Sequence, residues 1–150
     1  MKKTILMLLL MCSAVFAFAD GINWLDNYGK AQEESQKTGK PILMLFTGSD
    51  WCPYCIKMEK DAFSKPQFQK FIQENFIMFK ADFPRRRKLL PGVVVQNQKL
   101  RSQYKVEAYP TVIITDAKGT QLAPRTGCLE SSDVNSYINT YKQILAKIKK

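Results

Sequence analysis

The chain has 150 residues, enough for one domain with a real core. It has no histidine, and one of its four cysteines, Cys12, lies in the N-terminal leader described below, so a four-ligand zinc site within one chain lacks a donor, and neither a metal nor a cofactor is expected. The formal charge of +10 is a balance that can mark nucleic-acid or anionic-membrane binding, yet the basic residues are dispersed apart from Arg85-Arg86-Arg87-Lys88 and the tail, so a solvated basic surface is the expectation.

Met1 to Ala19 has the form of a secretory signal. Lys2 and Lys3 make the charged start, an apolar stretch begins at Ile5 and runs to Phe18, and Ala17-Phe18-Ala19 is a small-x-small cleavage site that leaves Asp20 as the mature start. The stretch is short for a membrane span. Cys12 lies inside it, preceded by Met11 rather than by the small residue that lipid attachment needs. The mature chain, 20–150, then carries a charge of +8 and three cysteines, Cys52, Cys55 and Cys128. Export permits disulfides, but an odd count fits a redox pair plus one extra thiol better than a stapled scaffold. Export also argues against a nucleic-acid partner.

Asn23 is the candidate N-cap of a helix running to about Gln36, with Trp24, Leu25, Tyr28 and Ala31 as a narrow apolar stripe. Gly39 suits the position past its end, and Pro41 cannot continue it. Ile42 to Phe46 is apolar at every position, the pattern of a strand covered on both faces. A polar turn, Thr47-Gly48-Ser49-Asp50, leads into Trp51-Cys52-Pro53-Tyr54-Cys55. The apolar residues from Ile56 to Phe63 fit a helix, so the two cysteines fall where a strand gives way to a helix N-terminus. Unpaired backbone N–H groups there stabilise a thiolate at Cys52. Pro53 suits the first helical position, and the i, i+3 spacing brings Cys55 within reach of Cys52. The pattern is a dithiol that can be cycled, with an exposed attacking sulfur at Cys52 and a sheltered resolving one at Cys55. A purely structural bridge across two residues would gain little loop entropy.

Ser64-Lys65-Pro66 breaks the helix, and Phe68, Phe71 and Ile72 mark a second one. Phe76 to Asp82 is a further strand. Pro84 to Gly92 is a loop holding Arg85-Arg86-Arg87-Lys88, expected to be solvated, with a docking patch as the rival reading. Val94 to Tyr104 forms a helix, Val112 to Ile114 an apolar strand after Tyr109-Pro110, and Asp116 to Gly119 a turn. Gln121 to Ala123 is a short return strand that ends at Pro124. A last helix is capped by Ser131 or Ser132, with Val134, Tyr137, Ile138, Tyr141, Ile144 and Ile148 as its stripe and Lys147, Lys149 and Lys150 in its last turns.

This element order is similar to that of the thioredoxin fold, an α/β architecture with a central mixed sheet flanked by helices, here with an additional N-terminal helix. Trp51-Cys52-Pro53-Tyr54-Cys55 resembles its W-C-x-x-C centre, Ala108-Tyr109-Pro110-Thr111-Val112 its cis-proline segment, and Gly127 the glycine of the loop before the last helix. Gly48 to Cys52, Lys57-Met58-Glu59 and Asp82-Phe83-Pro84-Arg85 are similar to secreted bacterial thioredoxin-like proteins, including DsbH-type periplasmic disulfide reductases. The Pro53-Tyr54 pair is also typical of glutaredoxins, which lack this leader and length.

The resemblance implies a periplasmic thiol-disulfide oxidoreductase. Cys52 is its nucleophile, Cys55 resolves, and Trp51, Pro53, Tyr54, Tyr109 and Pro110 form the substrate surface, with Tyr109-Pro110 cis. Its partners are disulfide-containing exported proteins and a membrane electron donor, and a monomer is the expected state. Thioredoxins carry a buried aspartate six residues ahead of the first cysteine; here that position is Phe46. Glu59, one turn after Cys55, is a candidate substitute, and Cys128 is either an accessory thiol or an inert buried one. Strong oxidants of this fold have a histidine between the cysteines; Tyr54 stands there, which favours a reductase over an oxidase or isomerase. A non-catalytic module that holds a partner in its Tyr109-Pro110 groove is the remaining alternative.

Overall fold

The structure, a computed structural model, describes residues 21–131 and 133–149. The leader with Cys12 and the expected mature start at Asp20, together with Ser132 and Lys150, lie outside the described residues.

Strand β1, Ile42–Thr47, is buried along its whole length. It is the middle strand of three: β2, Ile77–Asp82, runs parallel to it on one side, and β3, Thr111–Thr115, antiparallel on the other. Alternation along the strands sends side chains to two separate cores. Leu43, Leu45, Met78, Val112 and Ile114 face one of them. It is covered by α2 (Pro53–Met58) with its continuation, by α3 (Pro66–Asn75) and by α5 (Val134–Ile148). Ile42, Met44, Phe46, Phe79 and Ile113 face the other, covered by α1 (Tyr28–Thr38) and α4 (Pro91–Gln103) through Ala31, Leu100 and the adjoining Tyr104. The unbroken apolar run of β1 is thus what a strand needs when helices lie on both sides.

Several boundaries differ from expectation. Helix α1 starts four residues late, because Asn27 rather than Asn23 is its cap, accepting the Lys30 N–H at 3.0 Å. Leu25 is held instead by a bridge to β2, its N–H on the Met78 carbonyl and its carbonyl on the Lys80 N–H, both 2.9 Å. That extended segment frees Trp24 to pack edge-on against Phe63 at 5.1 Å. Gly39 does close α1, with φ of 71°. The helix after the cysteines widens into a π-helical turn, Glu59–Phe63, where the Ser64 N–H reaches back to the Glu59 carbonyl at 2.8 Å. Helix α4 begins at Pro91, so the expected loop is shorter: Leu90 is extended before it, and proline needs no N–H partner at a first helical position. The return strand at Gln121 shrinks to single bridges at Thr115–Gln121 and Val112–Thr126, since Pro124 between them has no N–H for a ladder. Asp133 caps α5, accepting the Asn135 N–H, while Ser131 accepts the Asp133 N–H one step upstream.

Phe68 is the hub of the larger core. Its ring meets Phe63 at 5.5 Å, Tyr141 at 5.8 Å and Tyr137 at 6.1 Å, and it has no exposed surface. Phe68→Ala is expected to cost about 3–5 kcal/mol, read as a lowered urea midpoint with an unchanged slope; a loss below about 1 kcal/mol would show that the three rings do not depend on it.

Candidate active site

Strands β1 and β2 stop together, at the paired residues Thr47 and Asp82. Beyond Thr47 the chain turns, with the N–H groups of Trp51 and Cys52 both on the Gly48 carbonyl, at 3.3 and 2.9 Å. Gly48 has to be glycine: a Cβ there would lie 2.5 Å from the Trp51 indole. Cys52 is then the N-cap of α2, in extended conformation, and Pro53 is the first helical residue. The Cys52 Sγ accepts the Cys55 backbone N–H at 3.3 Å and stands 3.6 Å from the Tyr109 carbonyl oxygen. The Tyr109–Pro110 peptide is cis. A Cβ on Gly127 would come within 2.8 Å of the Pro110 carbonyl oxygen, so that glycine lets the loop before α5 lie against the proline segment.

Both thiols are free. Contrary to the expected contrast, Cys52 is as sheltered as its partner, 4% exposed against 6% for Cys55. The Tyr109 carbonyl and the start of α2 close over it, while Pro53 and Tyr54 stand in solvent. What distinguishes the sulfurs is their surroundings. Burial pushes the Cys55 thiol up to about 11, helped by its hydrogen bond to Cys52 and opposed by the Thr47 hydroxyl and the Gly48 N–H, which lies 3.4 Å away.

The counted position of the missing aspartate, Phe46, is on the opposite side of the sheet, in the core beneath α1 and α4. Thr47 faces Cys55 instead. Below that thiol is a cavity of about 140 Å³ lined by Thr47, Ser49, Glu59, Lys80 and Pro110 among others. Glu59 is exposed at its rim. Burial lowers the Lys80 ammonium, and the charges of Glu59 and Asp82 oppose that shift.

Around the mouth, Phe83 stacks on Tyr109 at 5.1 Å and Trp51 meets Tyr109 edge-on at 6.1 Å. The Trp51 Nε1 donates to the Phe83 carbonyl at 2.8 Å, and the Arg85 guanidinium covers the indole at 3.7 Å. Cys128 is half-buried against the larger core, its Sγ 3.7 Å from the Tyr137 hydroxyl and 3.6 Å from the Leu129 carbonyl. The structure therefore gathers Trp51, Cys52, Pro53, Tyr54, Cys55, Tyr109 and Pro110 around one centre and leaves Cys128 among core contacts. Thr47, Phe83 and the carboxylates Asp50 and Asp82 are the members that sequence reasoning missed. Asp82 accepts the Ser49 N–H at 3.0 Å and the Ser49 hydroxyl at 2.6 Å and pairs with Arg87. Their signal was positional, since Thr47 and Asp82 end neighbouring parallel strands, where α/β sheets build sites.

Fold and site together define a dithiol domain of the thioredoxin type. Residues 28–142 match the family model of the thioredoxin-like domain, and the chain belongs to that family. It is 36% identical over 127 residues to the disulfide bond reductase DsbH of Chlamydia pneumoniae, covering 85% of this chain and 75% of the relative. It is 26% identical over 110 residues to the thiol:disulfide interchange protein DsbD of Salmonella typhi, 72% of this chain and 18% of that much longer protein. A solved structure of a DsbH oxidoreductase superposes with a TM-score of 0.78 at 35% identity, covering 85% of this chain and 87% of its own.

The Thr47 hydroxyl favours the Cys55 thiolate, so Thr47→Val should raise the Cys55 titration midpoint by about one further unit. This is measured by ultraviolet thiolate absorbance in a Cys52→Ser, Cys128→Ser background, and an unmoved midpoint refutes the contact. The sign for stability follows: a thiol held above its ordinary 9.0 favours the fold at lower pH, and that contribution is lost as pH climbs from 9.0 toward about 11.

Proposed function

We propose that this protein is an extracytoplasmic reductase of protein disulfides. The observation that carries the reading is the Cys52 sulfur at the head of α2, served by the Cys55 N–H and facing the cis Tyr109–Pro110 segment. The named activity of the DsbH relative supports it.

Cys52 gives up its proton, and its thiolate attacks one sulfur of a substrate disulfide. The substrate S–S bond breaks, a Cys52–substrate disulfide forms, and the departing thiolate takes a proton. Cys55 then loses its proton and attacks the Cys52 sulfur. The mixed disulfide breaks, releasing the second substrate thiol and leaving a Cys52–Cys55 disulfide. Two electrons and two protons pass from the dithiol to the substrate. Its position at the rim of the cavity under Cys55 supports Glu59 as the carboxylate that takes the Cys55 proton. An extended substrate segment pairs with the backbone beside Tyr109 and lies over Trp51, Pro53, Tyr54 and Pro110.

The absence of any histidine favours the reducing direction, because no imidazolium between the cysteines stabilises the reduced form. A potential near ~−270 mV, rather than the ~−120 mV of the strong oxidants, is expected from equilibration with glutathione. Substrates are exported proteins with disulfides, and a membrane-bound dithiol protein recharges the oxidised pair. Trapping tests the mechanism. Cys55→Ser should accumulate a mixed disulfide through Cys52 with reduction-sensitive mobility, and Cys52→Ser should lose insulin reduction driven by dithiothreitol. A Cys55→Ser protein that captures no disulfide-bearing polypeptide would sink the proposal.

Export is part of the same reading. Expressed with its leader in a bacterium, the protein should appear in the periplasmic fraction with Asp20 as its first residue by N-terminal sequencing. Retention in the cytoplasm at full length would remove the extracytoplasmic assignment and leave the dithiol chemistry in place.

A further inference from the structure

The basic segment after β2 is not a free loop. The Asp50 carboxylate accepts the N–H groups of Arg85 and Arg86 at 2.9 and 2.8 Å, and those bonds hold Asp50 below the usual carboxylate range. Asp82 ties Arg87 to Ser49. Arg85 lies on Trp51, next to Cys52 in the chain. The turn that carries the cysteines and the basic loop are therefore one unit, and the loop's position relative to Cys52 is fixed.

Its charge is unbalanced. Between Asp82 and Glu107 the sequence has seven basic residues, from Arg85 to Lys105, and no acid. The nearest carboxylates, Asp50 and Asp82, are engaged as above. Arg86 and Lys88 stand in solvent. Alongside runs a groove of about 350 Å³ with apolar walls from Phe83, Pro84, Leu89 and Val94 and a cationic edge from Arg87 and Lys88. Leu90 and Val95, neighbours in sequence of the groove residues Leu89 and Val94, are 75% and 69% exposed. A solvated loop needs neither anchoring carboxylates nor an apolar groove beside it.

We infer that this loop and groove are a docking extension of the active site, and that they receive the acidic stretch flanking the reactive cysteine of a disulfide-bearing protein. One apolar side chain of that stretch fills the groove while its carboxylates meet Arg86, Lys88 and their neighbours. The inference rests on the reductase reading above and adds the substrate class that reading leaves open. Complementary charge acts chiefly on encounter and selection, and it is screened by salt.

Two disulfide-bonded peptides test it, alike in sequence with one flanking leucine and differing only in carrying Glu or Gln at the other flanking positions. With dithiothreitol as reductant, the wild-type protein should show a kcat/KM about tenfold higher for the Glu peptide at low ionic strength. The ratio should fall toward one at about 1 M salt, where screening acts within ~3 Å. The double charge reversal R86E/K88E should bring the Glu-to-Gln ratio to one or below, and replacing the peptides' leucine with serine should raise KM several-fold. Equal rates for the two peptides in the wild type overturn the inference, as does a Glu preference that R86E/K88E leaves intact, which would assign it to the net charge of the whole molecule. An unmoved KM after leucine replacement removes the groove from the site. The wild-type comparison does not depend on the variant folding. If the wild type reduces neither peptide, the reductase reading itself fails; if it reduces both equally, only the docking surface does.

Discussion

The site depends on where two parallel strands stop. β1 and β2 end in register at Thr47 and Asp82. From there one chain turns into the cysteine helix and the other into the basic loop, so the two segments begin as neighbours. Because β3 lies on the other side of β1, the connections leaving the sheet diverge at this point and open a crevice, the place where α/β sheets hold their ligands. The polar contacts that tie the cysteine turn to the basic loop are built across that divergence. Ser49 meets Asp82, Asp50 meets the backbone of Arg85 and Arg86, and Trp51 meets Phe83. The strand ends fix these partners before any side chain chooses a rotamer.

The same arrangement makes two chemically identical residues unlike. Both sulfurs are buried, so exposure does not set their roles. Cys52 occupies the cap position of α2, where its sulfur meets a backbone N–H that has no partner within the helix. Cys55 comes one turn later, over the end of the central strand, and burial there favours its neutral form. One sulfur is met by a backbone N–H and the other is held neutral by burial, and that contrast underlies the proposed division into an attacking and a waiting thiol.

Much of this was legible in the sequence because it was written in periodicity and punctuation. The doubly covered strand Ile42–Thr47, the glycine that ends α1, the kink at Pro66 and the stripe of α5 all appear as expected. So does the cysteine pair at a strand-to-helix junction. The errors fall where two local signals competed. Asn23 and Asn27 could both cap a helix, and the choice was made by Leu25 bridging to β2, a contact between distant parts of the chain. Asp133 took the cap expected of Ser131 or Ser132. Thr47 as the partner of Cys55 is a product of turn geometry that periodicity does not encode. Asp50 as the anchor of an arginine loop is a product of strand register, its partners Arg85 and Arg86 lying too far along the chain for one window of sequence to hold them together.

The replacement of a buried carboxylate by Phe46 and Thr47 has a consequence for the chemistry. A carboxylate beside a buried thiol would be an anion that resists the formation of a second anion, and it would serve as a base only by becoming protonated itself. A hydroxyl carries no charge. Set beside the Cys55 sulfur, it steadies the thiolate without supplying a place for the proton to go. The proton must then leave by another route. On the proposed mechanism it leaves through the cavity beneath Cys55, which has Glu59 at an exposed rim and is also lined by Lys80, whose charge is disfavoured by burial and sustained by Glu59 and Asp82. The steadying of the thiolate and the removal of its proton are, on that mechanism, divided between two residues, Thr47 on the strand and Glu59 at the cavity rim, where a single buried acid would have had to do both.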